Sequence, residues 1–134
     1  MKKAFYFLFI TCCVSITSFA QNKPLSIICN KPTSLKAGQS THLKVIVKHE
    51  MATEKTGTLS LNLLNHQTGK SVDGWFLNIF PFQYFTTIKN ENFEVDFPFT
   101  VPHEYKGKLD IELVAHVDQF KDSTRYTIPI QDPK

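Results

Sequence analysis

The chain has 134 residues, with 15 Lys and Arg against 12 Asp and Glu and a formal charge of +3. That length is enough for one domain with its own core, not two. So small an excess of positive charge, scattered along the chain, argues against a nucleic-acid partner, which needs a clustered cationic surface.

The first element predicted is a secretory signal peptide over 1–20. Lys2 and Lys3 precede the apolar run Ala4 to Val14, and the segment ends Ser15-Ile16-Thr17-Ser18-Phe19-Ala20. Ser18 and Ala20 supply the small side chains that signal peptidase needs two positions apart. Cleavage after Ala20 leaves Gln21 first and removes Lys2, Lys3 and no acid, so 13 Lys and Arg face 12 Asp and Glu in the mature chain, a charge of +1. No later run approaches the length of a membrane span. A lipoprotein anchor at Cys12 or Cys13 is the competing reading. Phe9 and Thr11 fit the positions before Cys12 poorly, and Val14–Ala20 is too apolar for a tether. The expected address is therefore periplasmic or extracellular.

Residues 21–134 are predicted to form one all-β domain. Leu25–Asn30 reads as a first strand. Leu43, Val45 and Val47 alternate with His42, Lys44, Ile46 and Lys48. Leu59, Leu61 and Leu63 alternate with Ser60, Asn62 and Leu64. A shorter strand falls near Gln83–Ile88. Phe93, Val95, Phe97, Phe99 and Val101 alternate with Glu94, Asp96, Pro98 and Thr100. Leu109 to Val117 repeats the pattern, with Asp110 and Glu112 on the polar face, and Tyr126, Ile128 and Ile130 close the set. This period of two marks strands with one buried face. Gly38, Gly69, Gly74, Asn90 and Gly107 supply turn chemistry between them. Seven antiparallel strands of this kind fit an immunoglobulin-like β-sandwich. Pro98 and Pro129 belong at edges or bulges, where a missing donor is harmless.

Chemistry is sparse. His42, His49, His66, His103 and His116 show no zinc-ligand spacing and read as solvated. Cys29 is the single cysteine beyond the signal peptide and shares a strand face with Leu25 and Ile27, so it reads as a small buried side chain. No Gly-x-Ser-x-Gly elbow occurs. Asp110 and Glu112 read as charges on a solvated face. The expectation is no catalytic residue, no metal and no cofactor.

One stretch departs from the pattern. Trp75-Phe76-Leu77-Asn78-Ile79-Phe80-Pro81-Phe82-Gln83-Tyr84-Phe85 holds six aromatics in eleven residues without clean alternation. It either caps one end of the sandwich or offers a contact surface, with Trp75, Phe76, Phe80, Phe82 and Tyr84 as the candidate partner-binding residues.

Several segments together resemble a macroglobulin-type β-sandwich domain of bacterial alpha-2-macroglobulin-like proteins. They are Lys36-Ala37-Gly38-Gln39-Ser40, Thr56-Gly57-Thr58-Leu59-Ser60-Leu61, Thr68-Gly69-Lys70, Asn78 and Gln83-Tyr84-Phe85-Thr86. They continue with Val95-Asp96-Phe97-Pro98-Phe99-Thr100-Val101-Pro102, then Phe120-Lys121-Asp122-Ser123 leading to Ile128-Pro129-Ile130. In that family an Asp-containing turn leads into the closing strand. The resemblance implies protein capture by large traps with a bait region and, often, a Cys-Gly-Glu-Gln thioester. This chain has neither, since Cys29 is followed by Asn30-Lys31-Pro32. What it implies here is one exported, non-enzymatic module that binds another protein. A carbohydrate-binding or adhesion module using the 75–85 stretch is the alternative, and a small hydrolase is the third class considered.

Intact-mass analysis of protein recovered from the cell envelope or medium is expected to show a chain starting at Gln21, with or without cyclisation to pyroglutamate. A full-length mass, or a diacylglyceryl adduct at Cys12 or Cys13, would refute the export reading.

Overall fold

The computed structural model describes residues 23–133; the signal-peptide reading and its Ala20 cleavage site lie outside them. Eight strands follow in chain order: β1 (Leu25–Cys29), β2 (Leu35–Lys36), β3 (Ser40–His49), β4 (Thr56–Asn65), β5 (Phe82–Thr86), β6 (Phe93–Thr100), β7 (Lys108–Val117) and β8 (Phe120–Gln131). They form a three-stranded sheet, β1-β3-β6, and a five-stranded sheet, β2-β8-β7-β4-β5. All pairings are antiparallel except β2 with β8. Among the described residues no helix is long and apolar enough to cross a membrane.

The alternation read from the sequence sets the layers. Leu43, Val45 and Val47 of β3 and Phe97 and Phe99 of β6 face Leu59, Leu61 and Leu63 of β4 and Leu109, Ile111, Leu113, Ala115 and Val117 of β7 in one buried cluster. Their intervening neighbours on β6, Glu94, Asp96 and Pro98, are exposed. Each such buried aliphatic or aromatic side chain contributes about 1.5–3 kcal/mol relative to exposure.

Two glycines hold places no other residue fills. Gly38 turns at φ +83° with its α-carbon against the His103 ring, and its N–H donates to the Val101 carbonyl at 2.7 Å. Gly57 pairs with Phe85 across β4 and β5 and lies under its ring, where an added β-carbon would sit 2.5 Å from Phe85.

Three expectations need correction. The strands number eight rather than seven, because β2, two residues long, is too short to alternate. Phe120-Lys121-Asp122-Ser123 is not a turn but the start of β8; the turn is Asp118-Gln119, with Asp118 at φ +50° and Val117 paired to Phe120. Pro129 sits on an inner strand, but Ile130 donates its N–H toward β7 at the Gly107 carbonyl. Alternation therefore turns the donorless Pro129 nitrogen toward β2, which pairs only Ile130 and Gln131. Pro98 lies on the edge strand β6 as expected.

Phe97→Ala is expected to cost about 3–5 kcal/mol through the cavity it leaves. Asp96→Ala is expected to cost less than about 0.5 kcal/mol, as exposed substitutions do. Equal shifts in a denaturant titration would contradict the register of β6.

Candidate functional site

The segment from Trp75 to Tyr84 is built on a short polar frame. Asp73 accepts hydrogen bonds from the Leu63 N–H at 2.8 Å and from the Asn78 amide at 2.9 Å, and its other oxygen accepts from the Ser71 hydroxyl at 2.9 Å. The buried Asn78 amide also donates to the Leu61 carbonyl at 3.0 Å. The Thr100 N–H reaches the Phe76 carbonyl at 2.8 Å, and the Leu61 N–H reaches Pro81 at 2.8 Å. These bonds tie the loop to β4 on one side and β6 on the other. Between them Leu77 is held at φ +55°. A branched side chain rarely adopts that left-handed conformation, which costs on the order of 1 kcal/mol.

The frame sorts the aromatics into two sets. Phe76 is fully buried, in T-shaped contact with Tyr105 at 4.9 Å, and Phe85 stacks on Phe93 at 5.0 Å. Phe76 is therefore core and leaves the set of candidate contact residues. The other candidates face outward: Trp75 is 53% exposed, Phe80 62%, Phe82 50% and Tyr84 70%. Leu77 and Ile79 are exposed as well, so six of the eight large exposed apolar residues among the described residues fall within ten positions of the chain. Trp75 leans edge-on against Tyr105 at 5.6 Å, and Phe82 against Tyr84 at 5.2 Å. The segment thus both closes the core, through Phe76 and Phe85, and presents an apolar surface.

No family model and no curated protein matches this chain. Solved structures do. The C-terminal part of alpha-2-macroglobulin from Escherichia coli, beginning at domain MG7, superposes with a TM-score of 0.60 at 8% identity, covering 82% of this chain and 17% of that one. A CARDB domain from Pyrococcus furiosus, solved with a pair of metal ions, gives 0.59 at 10% identity over 79% of this chain and 86% of the other. A chain from the complex of zinc 2-glycoprotein with prolactin-inducible protein, from human seminal plasma, gives 0.56 at 9% identity over 80% and 93%. The fold is a macroglobulin-like β-sandwich. At these identities the likeness is one of fold.

The macroglobulin-like frame also carries a polar centre that the sequence reading missed. Asp110, expected on a solvated face, is buried on the outer side of β7. It accepts hydrogen bonds from Arg125 at 2.7 Å and from the Thr127 hydroxyl at 2.7 Å, and lies 2.8 Å from His66 Nδ1. Arg125 extends the network to Glu112 at 3.8 Å. Burial pushes the Asp110 carboxyl up, but the bonds from Arg125, Thr127 and His66 outweigh it and hold the group at about 2. His66 also borders a polar hollow of about 500 Å³ with Asn65, Gln67 and Lys106–Lys108. The hydroxyl beside the Asp–His pair, that of Thr127, donates to the same Asp110 oxygen that meets His66, so it serves to hold the carboxylate.

Cys29 is half-buried, with its thiol 3.2 Å from the Tyr126 hydroxyl. Burial pushes the thiol up despite the Tyr126 bond and the charge of Lys31, so it is protonated near neutral pH and a poor nucleophile. Burial and the Cys29 contact raise the Tyr126 hydroxyl as well. Among the described residues no three His, Cys, Asp or Glu side chains converge as metal ligands.

The depressed Asp110 value makes stability acid-sensitive. Its contribution is fully present above the ordinary value of 3.8 and is lost as pH falls toward about 2. That span corresponds to about 2 kcal/mol. Asp110→Asn is expected to flatten the decline of unfolding free energy between about pH 5 and pH 2 by that amount. Parallel pH profiles for the two proteins would refute the network's role.

Proposed function

We propose that this chain is an exported, non-enzymatic protein-binding module whose contact surface is the 75–84 segment. The observation that carries the reading is the run of exposed apolar side chains Trp75, Leu77, Ile79, Phe80, Phe82 and Tyr84. Large exposed apolar area gathered in one segment of a small domain is a recognised mark of an interaction surface. The Asp73–Asn78 frame fixes the loop before any partner arrives, and pre-ordering lowers the entropic cost of binding. The macroglobulin-like fold supports the reading through the protein-capture role that its sequence resemblance implies. The likeness to a chain solved within a protein–protein complex is in keeping with it. The weak nucleophilicity of Cys29, and the engagement of Asp110 by Arg125, Thr127 and His66 together, support a non-catalytic role.

Carbohydrate binding is the competing outcome, because exposed aromatic faces also stack on sugars. A photo-activated phenylalanine analogue at Phe80 decides between them. In envelope extract it is expected to cross-link to polypeptide, whether a different protein or a second copy of the chain. The yield is expected to collapse when Trp75→Ala and Tyr84→Ala are added to a protein whose melting curve is preserved. No polypeptide adduct, together with specific retention on a glycan array, would overturn the reading.

A further inference from the structure

The two sheets end in four edge strands, β1 and β6 of one and β2 and β5 of the other. Unprotected edges pair with other chains, so their protection is informative. On β1, the Ile27 N–H is capped by the Asp122 carboxylate of β8 at 2.9 Å. On β6, Glu94, Asp96 and the donorless Pro98 are exposed, and the Thr100 N–H is taken by Phe76. β2 has only two residues. β5 has none of these devices: Phe82-Gln83-Tyr84-Phe85-Thr86 carries no charge, no proline and no positive φ.

The direction of the β5 backbone follows from its neighbours. Leu61 N–H bonds to the Pro81 carbonyl and Thr87 N–H to the Lys55 carbonyl, so the odd-numbered residues from 83 to 87 point their amides and carbonyls at β4, as Pro81 does its carbonyl. Alternation then turns the N–H and C=O groups of Phe82, Tyr84 and Thr86 outward along the open edge. The side chains of the same three residues are exposed on the outer face of the sheet.

We propose that β5 pairs antiparallel with β5 of a second copy of this chain, across a two-fold axis at Tyr84, joining two five-stranded sheets into one. The juxtaposition is self-complementary. Tyr84 faces Tyr84 of the second copy, and Phe82 faces its Thr86. The three outward residues of each strand satisfy one another with six hydrogen bonds. An uncharged strand meets its own copy without like-charge repulsion, and Tyr and Phe on the outer face supply the cross-strand contacts that stabilise such pairs. A two-fold pairing is closed and consumes the open edge, so it yields a dimer and not a fibre. The inference rests on the protein-binding reading and names its partner.

Sedimentation analysis of the protein as the cell produces it, across a concentration series, tests the pairing. A reversible dimer is expected. Tyr84→Pro removes an N–H that β4 does not use and is expected to weaken the dimer at least tenfold, about 1.4 kcal/mol. The paired variant Phe82→Lys with Thr86→Lys puts like charges opposite each other twice and is expected to be monomeric. Phe82→Lys with Thr86→Glu puts opposite charges there and is expected to restore the dimer, which loss of folding in the first variant could not mimic. A monomeric wild type, or a dimer indifferent to all three variants, would overturn the proposal. If the wild type is monomeric while the Phe80 photo-adduct still contains a different polypeptide, self-pairing fails and protein binding stands; if no polypeptide is captured either, both fail.

Discussion

Strand β7 carries this domain because it is paired along both edges and used on both faces. It pairs with β4 through eight residues and with β8 through ten. Its inner face sends Leu109, Ile111, Leu113, Ala115 and Val117 into the core, all without exposure to solvent. Its outer face places Asp110 where Arg125 and Thr127 of β8 and His66 after β4 converge on one carboxylate. The hydrophobic term is non-directional and fixes only which face is inward. The Asp110 bonds are directional and tie β8 and the end of β4 to β7. A buried charge is costly unless it is paired and hydrogen-bonded, so Arg125, Thr127 and His66 act on Asp110 as a set.

How much of this was legible in the sequence depends on whether a residue's setting is local. The five inner positions of β7 could be read from alternation alone, because a strand with one buried face repeats every two residues. So could the separation of Phe97 from Asp96. Asp110 could not: its burial comes from Arg125 and Thr127, 15 and 17 positions away, and only the β7–β8 register brings them alongside. The first half of β8 escaped for a different reason. From Phe120 to Thr127 it alternates between half-buried and exposed positions, with no fully buried face to give a hydrophobic signal. β2 is an accident of packing at the Gly38 turn, and two residues carry no period.

The aromatic stretch shows the same limit within one segment. β5 carries aromatic residues on both faces, Phe85 inward and Phe82 and Tyr84 outward, so alternation of polarity cannot say which side is core. What decides is Gly57 on β4. Its lack of a side chain leaves the space that the Phe85 ring occupies, and with Phe85 inward, Phe82 and Tyr84 must face solvent. Phe76 is separated from Trp75 and Phe80 in a comparable way, by the bonds that Asp73, Asn78 and Thr100 make around it. The sequence left core and surface open for this stretch; the structure assigns both, residue by residue.

The macroglobulin-like fold itself does not specify a function, since sandwiches of this shape serve many. What distinguishes this chain is where it keeps strain and apolar exposure. A folded domain gains nothing by holding Leu77 in a left-handed conformation and leaving Ile79 and Phe80 in water. Both features sit on the loop that enters β5, and that loop is fastened to β4 by side-chain bonds and to β6 by a backbone bond rather than left slack. Strain that the surrounding structure over-determines is characteristic of sites that contact something else. A flexible apolar loop would collapse onto the domain and hide its side chains, whereas a fastened one must keep them exposed. The Asp73–Asn78 frame therefore does two jobs with one set of bonds. It completes the end of the core through Phe76, and it keeps the neighbouring side chains in solvent.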